Sequence, residues 1–237
     1  MAGEFRFKQF SVQHQRSSMK VGTDAVLLGA WCDLEGAQRV LDVGTGCGVI
    51  ALMAAQRTTA GCRIDAIDID ADSVDEASDN FGRSPWAHRL SARLVDFNDM
   101  DVAAAYDVIV TNPPFFAEAV LPPDAIRSAA RHTHSLAFDQ LIQGAARLLT
   151  PQGSIALITP CEARDKVIEA ATFARLHLRR VTTVYPREEK APKRVLWQWG
   201  KERVDTQHGI LVMHDGNGDD TPQYRALCQD FYLDRES

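Results

Sequence analysis

The 237-residue chain has no apolar run approaching the roughly 20 residues that cross a bilayer, so a membrane-spanning reading fails. Its first ten residues, MAGEFRFKQF, lack the apolar core of a signal peptide, and the expected location is the cytoplasm. No C-x-x-C pair occurs among Cys32, Cys47, Cys62, Cys161 and Cys228, and none has a histidine at metal-ligand spacing. A zinc site and a disulfide framework are therefore unsupported, and the thiols read as free and buried in a reducing compartment. Repeats and low-complexity segments are also missing. Positive charge is short as well. The chain carries 26 Lys and Arg against 32 Asp and Glu, a net charge of −6 that on its face argues against a nucleic-acid partner.

The deficit is uneven. Between Asp65 and Asp107 eleven acidic residues face three arginines, Arg83, Arg89 and Arg93. The first twenty residues hold Arg6, Lys8, Arg16 and Lys20 against Glu4, and the segment from Arg164 to Arg203 is rich in Arg and Lys. An acidic middle with basic ends can present a local positive surface to phosphates.

What is present is a regular alternation of strand-like and helix-like runs. RVLDVG (39–44), CRIDAIDID (62–70), RLSARLVDF (89–97), YDVIV (106–110) and SIALITP (154–160) read as strands. VIALMAAQRT follows the first as a helix. ADSVDEASDNFGRS follows the second as a polar helix with Ala71, Val74 and Ala77–Ser78 on one side. FDQLIQGAARLLT is amphipathic, and PQG is expected to close it. CEARDKVIEAATFARLH is a further helix, and RRVTTVYP and RVLWQWGK flank REEKAPK as a long hairpin. The expected fold class is α/β, a Rossmann-like twisted sheet that is mainly parallel, with helices on both faces and an antiparallel C-terminal hairpin. Residues 1–35 are expected to be an N-terminal extension and 36–237 the main domain.

LDVGTGCGVIAL places Asp42, Gly44, Gly46 and Gly48 between a strand and a helix, where a nucleotide-binding loop belongs. Glycines let the backbone turn tightly and approach a ligand. The third glycine comes one residue earlier than in the dinucleotide G-x-G-x-x-G pattern, and an acid precedes the loop. Asp68 ends the second strand, where a carboxylate can accept from ribose hydroxyls. By alternation Ile69 points inward and Asp70 caps the next helix. Asp96 ends the third strand, as a ligand contact or as a turn cap.

The fourth strand runs into TNPPFF. Proline has no N–H for the ladder and fixes its own φ, so Pro113 and Pro114 make a stiff corner at the sheet's binding edge. The amide oxygen of Asn112 and the carbonyl of Pro113 could each accept one N–H of a planar amine, favouring a pyramidal nitrogen as positive charge develops. Phe115 offers a stacking face for a base, worth roughly 1–3 kcal/mol.

The D-x-G-x-G-x-G loop resembles motif I of the class I S-adenosylmethionine-dependent methyltransferases. That resemblance implies S-adenosylmethionine as cofactor and an adenine contact at Asp96. NPPF is similar to the N-P-P-[FYW] motif of amino methyltransferases acting on adenine, cytosine, guanine or glutamine amides. KQFSVQHQRSSMKVGTDAVLLGAW (8–31), NPPFF, AARHTHSL, RVLWQW and the final FYL resemble the bacterial tRNA adenine-N6 methyltransferases that modify the adenine beside the anticodon of a valine tRNA. The likeness spans nearly the whole chain and implies a tRNA partner without metal or membrane. It also implies that KVGTD caps the cofactor pocket through Lys20, Thr23 and Asp24, although Thr23 or Asp24 would equally serve as a helix N-cap. Arg131 and His132, after the catalytic corner, would approach RNA or serve in a solvated loop. Asp68 replaces the glutamate expected of that family, and Phe116 replaces a common tyrosine. A guanine-N2 methyltransferase of ribosomal RNA, a glutamine methyltransferase and a non-catalytic cofactor-binding scaffold remain the alternative readings.

Overall fold

The computed structural model describes residues 3–17, 19–113 and 137–233. Chain order is β1 (Glu4–Arg6), β2 (Ser11–Gln13), α1 (Thr23–Trp31), β3 (Arg39–Val43), α2 (Val49–Arg57), β4 (Arg63–Asp68), α3 (Ala71–Gly82), β5 (Leu90–Leu94) and β6 (Tyr106–Thr111). After residue 136 follow α4 (Phe138–Leu148), β7 (Leu149–Pro160), α5 (Arg164–Phe173), β8 (His177–Arg187), β9 (Arg194–Gly200), β10 (Gln207–His214) and α6 (Pro222–Cys228).

Eight strands form one sheet in the order β5-β4-β3-β6-β7-β9-β8-β10. The five from β5 to β7 are parallel to their neighbours, as strand–helix alternation requires. The hairpin appears as β8 and β9, with β9 antiparallel to both β7 and β8. Only β9 therefore opposes the rest, because β10 adds a further parallel edge strand beside β8. That edge strand has no counterpart in the sequence reading. Four residues of QHGILVMH, Gln207 to Ile210, are exposed, so the run shows no clean apolar alternation.

Strand alternation sends side chains to two cores. Val40, Val108, Val110, Ala156 and Ile158 pack with α1, α2, α3 and α6. Leu41, Val43, Ile109, Ile155 and Leu157 pack with α4 and α5 on the other face. The N-terminal segment joins the first core through Phe7, Phe10 and Val12.

Two helix assignments need correction. PQG does not close α4; it lies inside β7, which already pairs at Leu149 with Tyr106. The register slips before the Val108–Ser154 pair, so Pro151 falls at an irregularity where a ladder donor is dispensable. The helix after Pro160 ends at Phe173 rather than His177, because Arg175 takes a φ of 56° and turns the chain into β8.

Candidate active site

The glycine loop crosses from β3 to α2 with all three glycines in the left-handed region, at φ 70°, 53° and 83° for Gly44, Gly46 and Gly48. L-residues with a Cβ avoid that region. Gly48 is doubly constrained, since a Cβ there would lie 2.5 Å from Cε1 of Phe81 on α3. The backbone of Gly44 and Thr45 donates to the Ile67 carbonyl at 2.9 and 3.0 Å, which seats the loop on the end of β4.

Asp68, at that strand end, accepts from Gly46 N–H at 2.9 Å through Oδ2 and from Asp70 N–H at 3.0 Å through Oδ1. The same carboxylate expected to meet a ribose thus also fixes the loop that faces it. Asp70 is the N-cap of α3, accepting from Ser73 N–H at 3.2 Å and from its hydroxyl at 2.7 Å, as the sequence suggested. Ile69 is the correction here. It is 49% exposed, because β4 ends at Asp68 and alternation no longer governs the next residue. This apolar side chain beside the loop escaped the sequence reading for that reason.

Asp42 is fully buried on β3. Its Oδ2 accepts from the Thr45 hydroxyl at 2.7 Å and from Ala51 N–H in the first turn of α2 at 3.2 Å. Its Oδ1 has no partner among the described residues. Burial pushes the carboxyl up to about 7, against the two hydrogen bonds that favour the charged form. A buried acceptor left unpaired costs about 1–3 kcal/mol, so Oδ1 is a place where an ammonium would be welcome. Asp96 caps a short turn, its Oδ1 accepting from Asn98 N–H at 2.9 Å and from the Asn98 amide at 3.1 Å. Val95 N–H donates to the Asp68 carbonyl at 3.0 Å and brings the two acids to one rim.

The corner after β6 adjoins this loop. Val43 and Thr111 are register partners, and the Thr111 hydroxyl donates to the Val43 carbonyl at 2.9 Å. Gly44 and Asn112 are the next residues along these neighbouring strands. Asn112 is 9% exposed and its Oδ1 has no partner among the described residues. Pro113 beside it is buried. Pro114, Phe115, Arg131 and His132 lie outside the described residues. Two unpartnered buried oxygens therefore flank one sheet edge, one from each of two adjacent strands.

The N-terminal segment approaches the same loop. A Cβ on Gly46 would lie 4.0 Å from the Met19 carbonyl, and Lys20 follows it, exposed. Thr23 and Asp24 do not cap α1; the N-cap is Gly22, with no side-chain bond. Asp24 instead accepts from Arg194 at 2.7 Å, tying α1 to the start of β9. Thr23 is exposed and lines a different cleft, with Phe5, His214, Asp220 and Tyr224. Lys20 is thus the member of the KVGTD group that comes closest in sequence to the glycine-loop contact. All five cysteines are unpaired, four of them buried.

Comparison with known proteins places this geometry. The family model for the methyltransferase small domain matches residues 16–183. The tRNA1(Val) (adenine(37)-N6)-methyltransferase of Phocaeicola vulgatus is 43% identical over 229 residues, covering 97% of both chains. That of Tolumonas auensis is 40% identical over 229 residues, 97% of this chain and 96% of its own. Among solved structures, a predicted O-methyltransferase from Agrobacterium tumefaciens superposes with a TM-score of 0.70 at 18% identity, over 88% of this chain and 96% of its own. A geranyl diphosphate C-methyltransferase from Streptomyces coelicolor, bound to S-adenosyl-L-homocysteine, gives 0.53 at 14% identity over 70% and 73%. The structural likenesses show the fold, and the sequence likenesses show more: the chain belongs to the methyltransferase small domain family, among the tRNA1(Val) (adenine(37)-N6)-methyltransferases.

Proposed function

We propose that the chain is an S-adenosylmethionine-dependent enzyme that methylates the N6 amine of an adenine in tRNA, beside the anticodon of a valine tRNA. The observation that carries the reading is Asn112 Oδ1, a buried acceptor without a partner among the described residues, just past the end of β6 and one strand from the glycine loop. The bound cofactor supplies an electrophilic methyl group on a sulfonium. Asp42 Oδ1 and Lys20 would hold its amino-acid end, and Gly44, Gly46 and Gly48 give its backbone cradle. Asp68 keeps lone pairs for the ribose beyond those used on Gly46 and Asp70, and Asp96 meets the adenine edge.

An exocyclic adenine amine is a weak nucleophile because its lone pair is delocalised into the ring. Asn112 Oδ1 and the Pro113 carbonyl accept its two N–H groups, which favours the pyramidal nitrogen and stabilises the charge that develops on it. Pro114 would stiffen the corner, since proline fixes its own φ, and Phe115 would stack on the base. Pairing with the amine also relieves the desolvation cost of Asn112 Oδ1, so a polar nitrogen is preferred to an apolar substrate there. An enzyme with a tRNA substrate would work in the cytoplasm.

The test incubates the protein and methyl-labelled S-adenosylmethionine with tRNA lacking the modification and, separately, with ribosomal RNA and cell protein, and reads label by mass spectrometry in the RNA nucleosides and in the protein digest. Label is expected in N6-methyladenosine. Label in methylguanosine, or in protein glutamine, with none in N6-methyladenosine would overturn the assignment.

A further inference from the structure

Helix α3 carries a charged residue and an amide where an amphipathic helix would carry apolar ones. Glu76 and Asn80 are both 1% exposed and lie one helical turn apart, on the face that also buries Ser73, Ala77 and Phe81. Burying a carboxylate is costly unless its lone pairs are filled. Those of Glu76 are filled chiefly by backbone, with the Ser17 hydroxyl also within reach. Oε1 accepts from Gln15 N–H at 2.7 Å and Arg16 N–H at 3.0 Å, and Oε2 accepts from Ser17 N–H at 2.8 Å. Three successive amides converge on one anion, the arrangement of a backbone nest. Burial works to raise the Glu76 carboxyl, but the backbone donors and the Ser17 hydroxyl together outweigh it and hold the group below its ordinary value.

Asn80 works on two segments at once. Its Oδ1 accepts from Gln13 N–H at 2.9 Å, and its Nδ2 donates to the carbonyls of Gln13 and Cys47, both at 2.8 Å. Cys47 lies in the glycine loop, between Gly46 and Gly48. One amide therefore joins the N-terminal segment to the loop directly. The segment then folds back on itself, with Val21 N–H donating to His14 Nδ1 at 3.0 Å and the Ser17 hydroxyl donating to the Met19 carbonyl at 3.0 Å. That closure carries the Met19 carbonyl to Gly46.

We infer that Glu76 and Asn80 are positioning residues for the cofactor: they anchor residues 13–17, and through them 19–21, as a strap across the glycine loop, and cofactor affinity depends on that anchor. The dependence follows from where the bonds go. Val12 and Val21 pin the two ends of the strap to the first core, and between them the Glu76 and Asn80 bonds set its path. Without the Glu76 carboxylate, three amides lose their acceptor, that of Ser17 in a buried position, and the 14–21 closure that presents Lys20 beside the loop loses its base. Neither residue is placed to touch substrate; each acts through the strap.

The test reads cofactor binding rather than methyl transfer, so it is independent of which nucleoside is the substrate. In the wild-type protein, hydrogen exchange at the amides of Gln15, Arg16 and Ser17 should slow when S-adenosylhomocysteine is added. Glu76→Gln, which puts an amide NH2 where an acceptor is needed, should weaken S-adenosylhomocysteine binding by about tenfold or more, the scale of a lost charge-assisted bond. Asn80→Ala should do the same, with the loss falling on KM for S-adenosylmethionine more than on kcat. Exchange at 15–17 that is indifferent to S-adenosylhomocysteine in the wild-type protein would overturn the proposal whatever the variants do. So would folded variants, intact by circular dichroism, that bind as tightly as wild type.

Discussion

The two sides of the candidate site solve the same problem, buried polar atoms at a sheet edge, in opposite ways. On the β3–β4 side nearly every polar group is already paired. Asp68 holds Gly46, Ile67 holds Gly44 and Thr45, and Asn80 holds Cys47. On the β6 side Asn112 Oδ1 is left without a partner among the described residues. A saturated loop is a preformed seat, whereas an unsatisfied acceptor is free energy held back until a donor arrives. The asymmetry fits a cofactor that must be held through many encounters and a nucleobase amine that must be gripped most tightly as it reacts.

The hardest way to break that comparison is Asn112→Ala. Methyl transfer should fall by about a hundredfold to a thousandfold, the scale of a lost transition-state donor or acceptor. S-adenosylhomocysteine affinity should change less than about twofold, since the loop side keeps every bond. Thermal stability should hold or rise, because an unpaired buried acceptor costs about 1–3 kcal/mol in the free protein. Calorimetry beside single-turnover assays measures all three. Equal losses of binding and transfer would mean that Asn112 shapes the loop rather than the amine site.

Asp42 is the exception on the saturated side, and pH exposes it. Burial raises its carboxyl to about 7 in the folded protein, above the ordinary carboxylate value of the unfolded chain. A raised folded value means that its contribution to stability is complete below the unfolded value and is lost as pH climbs to about 7. The cofactor-free protein should therefore lose stability across that window, by at most about 4 kcal/mol from this group. Asp42→Asn should flatten the slope, and so should saturating S-adenosylhomocysteine, whose ammonium gives Oδ1 a partner. Denaturant unfolding at pH 5 and pH 8 decides it. A wild-type slope identical to that of the variant would assign the pH dependence to other groups.

How much of this was legible in the sequence differs between the two sides. Positive φ at three glycines spaced by two is legible, because only glycine tolerates it and the strand before the loop is plain. Asn112 is legible too, because prolines mark the end of a buried strand. What escaped is tertiary. Glu76 and Asn80 read as the wet face of α3, and the expected apolar side included Ala71 and Ser78, which are exposed. Charge normally signals solvent, and nothing local in ADSVDEASDNFG records that three amides from some sixty residues earlier meet this carboxylate. PQG misled for a related reason. Proline and glycine mark turns in isolation, but next to Tyr106 they form an irregular strand in which a Cβ on Gly153 would lie 2.9 Å from the Tyr106 carbonyl.

A finer probe compares glycines within the saturated loop. Gly48→Ala adds a Cβ that meets Phe81 as well as an unfavourable φ, so overpacking joins the backbone cost and the loss should reach about 2–4 kcal/mol. Gly44→Ala meets nothing within 4 Å, so only the φ of 70° counts and the loss should stay near 1–2 kcal/mol. Thermal melts of the two variants should differ by several degrees in that order. A reversed order would mean that α3 yields to the new methyl and that close approach does not constrain the loop.

The smallest expected effect separates the two kinds of contact that meet at Arg16. Its backbone N–H goes to buried Glu76, while its guanidinium pairs with Asp79, three residues further along α3, where both side chains are about half exposed. Exposed ion pairs are screened by water and salt and contribute little, whereas backbone bonds to a buried carboxylate cannot be replaced by solvent. Asp79→Asn should therefore leave S-adenosylhomocysteine affinity within about twofold of wild type at any salt concentration. If Asp79→Asn weakened binding as much as Glu76→Gln, and added salt did the same to the wild-type protein, surface charge would be holding the segment. The saturated side of the site would then owe its order to solvent conditions rather than to buried bonds.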